Sequence, residues 1–332
     1  MCCWAAGTAP ARSPRSRCRP AGRRRCWPRG GCCRRWRPAG WWCRVAEAGT
    51  GAVPLAGPPA ARQGTVWRGL ATYGLVVRMW MRSTMAYRTS FVLTTLGNLA
   101  ATALDFVTIT LMFSHIDALG GFSLPEVALL YGTTSVSFGL ADLLAGSLDT
   151  LGGRVRDGTF DTLLLRPAPV LAQAAADRFA LRRFGRIIQG LAVLGWAVSR
   201  VDVRWTVPAA ALLALTVLSG AAIFCAVFVA GAAFQFWAGD AAEIQNSVTY
   251  GGNTLLQYPP GLFARDLVRG VTFVVPLAFV NWLPVLHVLG RPYPLDLPPW
   301  ADFLGAPVAV ACCLLAGLAW RAGIRSYRST GS

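Results

Sequence analysis

The chain has 332 residues, 54% of them hydrophobic and only 14% charged, with a formal net charge of +17. Soluble domains carry about a quarter charged residues, so this composition excludes an ordinary soluble enzyme and points to a membrane protein. All 32 basic residues are arginine; P-loop ATP hydrolysis needs a lysine on the phosphates, so that chemistry is excluded as well.

Residues 1–64 stand apart. They hold thirteen arginines against one acid, Glu47, together with seven cysteines and five tryptophans. No apolar run follows the charges, as a secretory signal would require. The cysteines form no CxxC pair and have no histidine nearby, so zinc-site spacing is missing. An arginine-rich arm for nucleic acid would share this composition, but the segment is read here as disordered, or as translated sequence upstream of a start near Val66, Met79 or Met81. Without it the charge is modest, nineteen arginines against fourteen acids. No nucleic-acid partner is expected.

From Thr65 to Arg88 the pattern is amphipathic. Arg68, Arg78 and Arg82 share one side of a helical wheel, opposite Trp67, Leu70, Val77 and Trp80, as in a helix lying on an anionic membrane surface. A span needs about 20 apolar residues, and six candidates follow: Thr89–Phe113, Glu126–Leu148, Phe184–Ser199, Val207–Ala230, Leu267–Leu289 and Ala301–Trp320. The third is short, and Pro276 and Pro284 should kink the fifth. The expected fold is therefore an all-α membrane protein of six transmembrane helices preceded by an amphipathic helix.

With a cytoplasmic N-terminus, sixteen arginines fall in inside segments and three, Arg200, Arg204 and Arg291, in outside ones. That bias puts both termini in the cytoplasm. It also puts residues 150–183 there. Within them, RVRDGTFDTLLLRP (154–167) interrupts the apolar chain with three arginines and two aspartates. Asp157–Leu165 has a helical pattern with Phe160, Leu163 and Leu164 on one face, ended by Pro167. Such a segment can lie on lipid, dock into a soluble partner, or serve as a plain connecting turn.

These residues resemble the type-2 ABC exporter permeases, the ABC-2 family, in a bacterial group with the pattern R-x-G-T-F-D-x-L-L-L-R-P. It is matched at Arg156, Gly158, Thr159, Phe160, Asp161, Leu163, Leu164, Leu165, Arg166 and Pro167. Residues 267–291 are similar to the family's penultimate helix at Thr272, Phe273, Pro276, Ala278, Phe279, Asn281 and Pro284, and GIRSYRSTGS (323–332) resembles its ending. The resemblance runs from about 65 to 332. It implies a non-catalytic permease subunit of a bacterial cytoplasmic-membrane exporter, paired with a second permease subunit and driven by separate ATPase subunits that bind the ATP, so that no cofactor belongs to this chain. It further implies a coupling helix at Gly158–Arg166, with Arg156, Asp157, Gly158, Thr159, Phe160, Asp161, Leu164 and Arg166 at the ATPase contact. Phe160 and Leu164 would fill the partner's groove, and Tyr73–Arg82 would be the elbow helix before the first span.

Gly132, Ser135, Gly139, Asp142, Gly146 and Asp149 step by three or four along the second candidate span. Small residues let helices approach closely in lipid, and an intramembrane carboxylate is costly enough to suggest a function or a partner. The stripe is read either as a pathway or subunit-interface lining, with Asp105 of the first span as companion to Asp142, or as helix packing with Asp142 reaching water or an arginine. Asn98 and Asn281 are read as interhelical hydrogen-bond partners. His115 and His287 lie at predicted outer helix ends, far apart, and no metal site is expected. Residues 240–260 read as a polar cytoplasmic loop in which Gly251 and Gly252 permit bending. Two other classes stay open: a membrane scaffold that recruits a cytosolic partner through 154–167, and an ion-coupled carrier using Asp105 and Asp142.

Overall fold

A computed structural model describes residues 66–86, 88–166, 168–177, 183–239 and 241–327, without the side chains of 66–68. Residues 1–64, Pro167, Asp240 and the 328–332 ending lie outside the described residues. Among the described residues, regular structure is helical apart from one isolated bridge, Leu119 to Phe122. Four helices are long and apolar enough to cross a membrane.

The first helix, α1 (Val66–Ala86), packs on α6 (Val170–Ala176), and the Tyr73 hydroxyl donates 3.1 Å to the carbonyl of Leu144. Arg78 and Arg82 are exposed and Val77 and Trp80 half-buried, whereas Leu70, expected on the same apolar side, is 59% exposed. Next, α2 (Arg88–Phe113) packs mainly on α7 (Phe184–Arg200), meets α1 and, through Phe106, Tyr131 of α3, and leaves Leu93, Leu104 and Leu111 exposed. An apolar helix that is nearly bare needs lipid or another chain around it.

At the centre is α3 (Leu124–Ala145). Its start is fixed by Glu126, whose carboxylate accepts from the backbone N–H of Ser123 at 2.7 Å and from its hydroxyl at 3.0 Å, a capping box. A 3-10 turn (Gly146–Thr150) carries it into α4 (Leu151–Arg156). Antiparallel to it runs α7, parallel to it runs α8 (Val207–Ala238), with Ser137 at Val217 and Asp149 at Gln235, and α12 (Gly305–Ser326) packs along α8.

The fifth expected span is not one helix. Residues 265–289 break into α10 (Arg265–Arg269), a π turn (Gly270–Val274), a 3-10 turn (Leu277–Val280) and α11 (Trp282–Leu289). Proline supplies no N–H and rejects the preceding turn, so Pro276 ends the first half after an extended Val275. The segment turns back on itself. Leu262 lies beside Gly120 of the loop before α3, and the Thr272 hydroxyl meets that of Tyr293 at 2.8 Å beyond α11. Its tip, Val280, reaches Gly220 of α8, at the level of Ser137 of α3, about 20 Å along α3 from its start. The hairpin thus enters and leaves at the Glu126 end.

The chain passes between the two ends through α9 (Ala242–Leu256), which ends beside Thr134 part-way along α3, and the residues after it to Leu262, inside the stretch expected to be a cytoplasmic loop. Gln245, Thr249 and Asn253 of α9 are buried at helical spacing. The polarity that suggested a loop instead lies inside the bundle, where Gln245 meets Asp149 and Gln235. Gly251 and Gly252 are helical, and Gly252 packs against Leu277.

Candidate functional site: the coupling end

Residues 154–166 lie at the end of the bundle where α3, α8, α9 and α12 come together. They are less helical than expected. Asp157–Thr159 form a turn after α4, and only Asp161–Leu164 is helical (α5). Gly158 sits at φ +68°, a left-handed conformation that costs a residue with a Cβ roughly 1–2 kcal/mol. The turn closes on Arg154, whose carbonyl accepts the N–H of Phe160 at 3.2 Å.

Phe160 does not present itself to a partner. It is fully buried, edge-on to Phe236 of α8 at 5.2 Å and to Tyr327 at 4.9 Å. Trp320 of α12 extends the cluster, 5.5 Å from Phe236. Each such ring pair contributes about 0.5–1.5 kcal/mol beyond area burial. The expectation that Phe160 fills a groove on another protein is corrected by this geometry: apolar surface that the chain itself covers is not available to a second one. Leu163 is also buried, and its carbonyl and that of Ala168 accept from the Gln173 amide at 3.3 and 2.9 Å.

Residues facing outward are Arg156, Asp157, Thr159, Thr162, Leu164, Leu165 and Arg166. Leu165, 86% exposed, is the most prominent apolar group, with Leu164 at 41%. Asp161 stands between the two sides, half-buried, and accepts a 2.8 Å hydrogen bond from the Tyr327 hydroxyl. Burial and this contact push that hydroxyl up to about 12, so at neutral pH Tyr327 is a protonated donor.

Behind the segment is a polar network. Gln245 of α9 donates to Asp149 at 2.6 Å, and Tyr250 to its other oxygen at 3.3 Å. The Gln235 amide of α8 donates to Gln245 and accepts from the backbone N–H of Gly152. Arg183 of the residues leading into α7 lies 3.3 Å from the Asp142 carboxylate and donates to the Asp142 carbonyl at 2.7 Å. Arg186 stacks 5.0 Å over Phe138, a cation–π arrangement. Arg154 pairs with Asp177.

Among the residues of the expected stripe, a Cβ on Gly132 would come within 2.8 Å of the Leu194 backbone and one on Gly139 within 2.8 Å of Ile187. Ser135 is buried there, against Gly190. From Gly132 to Gly139 the stripe is the seam between α3 and α7, whereas Asp149 faces α9. Asp142 and Asp105 are not companions. The Tyr131 hydroxyl donates to the Thr102 carbonyl, which sets the Asp105 turn beside Tyr131, while Asp142 is eleven residues further along α3, about 16 Å. That separation removes the pair on which the carrier reading rested. Asn281 is buried and satisfied, its amide donating to the Leu130 carbonyl at 2.9 Å, Thr134 at 2.6 Å and the Leu256 carbonyl at 3.0 Å, and its oxygen accepting from Thr133 at 2.8 Å. It ties the hairpin to α3 and α9. Arg183, Gln235, Gln245 and Tyr327 were not anticipated; glutamines inside apolar or helical runs, such as FQFW at 234–237, were the available signal.

At the opposite end, Arg291 reaches Glu126 at 3.1 Å and stacks on Phe122, and His287 pairs with Asp302 at 2.9 Å. His115, which closes α2, and His287, in the last turn of α11, both lie toward this end.

No curated protein and no solved structure matches the chain. The family described as ABC-2 family transporter protein matches residues 99–331, a stretch that contains the exposed segment, its aromatic anchor and the polar network behind it. A helical membrane protein with this match over most of its length belongs to the ABC-2 family, as a membrane permease of an ABC transporter.

Proposed function

We propose that the chain is one permease subunit of an exporter in the bacterial cytoplasmic membrane, and that separate ATPase subunits dock on the outward face of residues 156–166. The observation that carries this reading is the two-sided build of that segment. Phe160 and Leu163 fix it to the bundle while Leu165 stands 86% exposed beside Asp157 and Arg166. An exposed leucine flanked by charges, held on a rigid base, suits a groove on a soluble partner. With no lysine in the sequence, the phosphate chemistry falls to that partner.

On this reading α2, α3, α7, α8, α9 and α12 are the six crossings, and α1 is the elbow helix. The arginine count supports a cytoplasmic coupling end. Ten described arginines lie toward it (78, 82, 88, 154, 156, 166, 183, 186, 321, 325) and five toward the other (200, 204, 265, 269, 291). A second permease subunit is supported by α9, where Glu243, Ser247, Gly251 and Thr254 form an exposed, lipid-averse face.

The test is purification of the tagged chain from its native membrane. A stoichiometric P-loop ATPase should accompany it and should be lost in Leu165→Asp with the chain still folded; a chain that captures no ATPase would overturn the reading.

A further inference from the structure

A docked ATPase can do work only if movement of the short segment reaches the spans. Helix α5 has four residues and cannot act as a lever by itself, so what holds it matters. Phe160 is enclosed by Phe236, near the end of α8, and by Tyr327, one residue past α12. Phe236 and Tyr327 are themselves 6.0 Å apart, and a Cβ on Gly323 of α12 would come within 2.7 Å of the Phe236 ring. The Tyr327 hydroxyl adds a directional bond to Asp161, the first residue of α5. Tyr327 is itself held to α12, its N–H donating to Gly323 and Ile324.

We propose that Tyr327 is a positioning residue that clamps the coupling segment to the ends of α8 and α12, making these two helices the elements that follow nucleotide-driven movement. The aromatic rings fix distance and the hydroxyl fixes orientation, so the segment, the end of α8 and the end of α12 behave as one body. Close packing makes such a body transmit displacement rather than absorb it. In contrast α2, which packs on α7, α1 and Tyr131 of α3 and lies outside this body, stays behind.

This inference rests on the permease reading above, and the experiment separates the two. The full chain, with native cysteines replaced by alanine and spin labels at exposed Leu104 of α2 and Leu314 of α12, is purified with its ATPase into lipid nanodiscs. The label separation is measured by pulsed EPR with ADP and with vanadate-trapped ATP. The parent chain should show a nucleotide-dependent shift. Tyr327→Leu should lose that shift while the ATPase still co-purifies and still hydrolyses ATP, which a simple loss of folding would not produce. Tyr327→Phe, which keeps the ring on Phe160, should retain a smaller shift and serves if the leucine variant does not fold. A full shift in either variant, or none in the parent with ATPase bound, would overturn the clamp. Absence of a bound ATPase from the parent would instead sink the permease reading.

Discussion

Gln245 of α9 donates a 2.6 Å hydrogen bond to the carboxylate of Asp149, and Gln235 of α8 donates in turn to Gln245. The turn after α3 is thereby joined to α9, 96 residues away in the chain, and through it to α8, by side chains that water would otherwise solvate. Replacing Gln245 by leucine removes the Gln245 bond from Asp149 and the acceptor from Gln235. Each buried polar group left short costs about 1–3 kcal/mol. Gln245→Leu should therefore lower the apparent Tm in detergent by roughly 2–4 °C per kcal/mol lost; a Tm unchanged from the parent would show that the network is not holding α9.

Close approach of α3 and α7 depends on the absence of a side chain at Gly132, where a Cβ would sit 2.8 Å from the Leu194 backbone. Gly132→Ala must push the helices apart, and overpacking of this kind costs about 1–3 kcal/mol. Gly195, on α7, meets nothing within 4 Å, so Gly195→Ala should be neutral or stabilise by about 0.5–1 kcal/mol. Thermal unfolding of the two variants side by side checks the difference in sign.

Asn281 makes four hydrogen bonds from a fully buried site. Asn281→Leu takes one partner from each of Thr133, Thr134 and the Leu130 and Leu256 carbonyls and removes the tie to α3 and α9. A loss of about 2–4 kcal/mol is expected, the cost of leaving two or more buried polar groups short. Proteolysis should find new cuts in 259–291, because the hairpin has lost its central attachment. Cleavage patterns identical to those of the parent would show that packing alone holds it.

Anchoring and docking separate at the coupling segment. Phe160→Ala opens a cavity in the aromatic cluster and should destabilise by about 3–5 kcal/mol. Leu165→Asp alters an exposed site and should leave stability within about 0.5 kcal/mol. ATPase capture should follow the opposite order, lost first in Leu165→Asp. Equal stability losses in the two variants would refute the two-sided build.

Where sequence reading succeeded and failed has a common cause. Apolar runs of twenty or more residues identify α2, α3, α8 and α12, because lipid-facing and core-facing residues are both apolar and need no knowledge of the partner. The same logic misread α9 and the 267–289 stretch. Gln245 looks like a loop residue until Asp149 and Gln235 are seen opposite it, and Pro276 looks like a kink until the chain is seen to turn back. Phe160 was misplaced for a related reason: periodicity shows that Phe160 and Leu163 share a face, not what that face meets.

Composition shows a membrane protein, these 332 residues hold no lysine for a P-loop, and 154–167 stands out as a charged interruption of an apolar chain. These follow from composition and local pattern, which do not depend on how the chain folds back. Only the tertiary structure decided that Phe160 is an anchor and Leu165 the exposed contact, that Asp105 and Asp142 stand apart, and that Tyr327 closes on Asp161 across 166 residues of chain. Contacts at such separation depend on which faces the packed helices present to one another, and that is a property of the whole bundle.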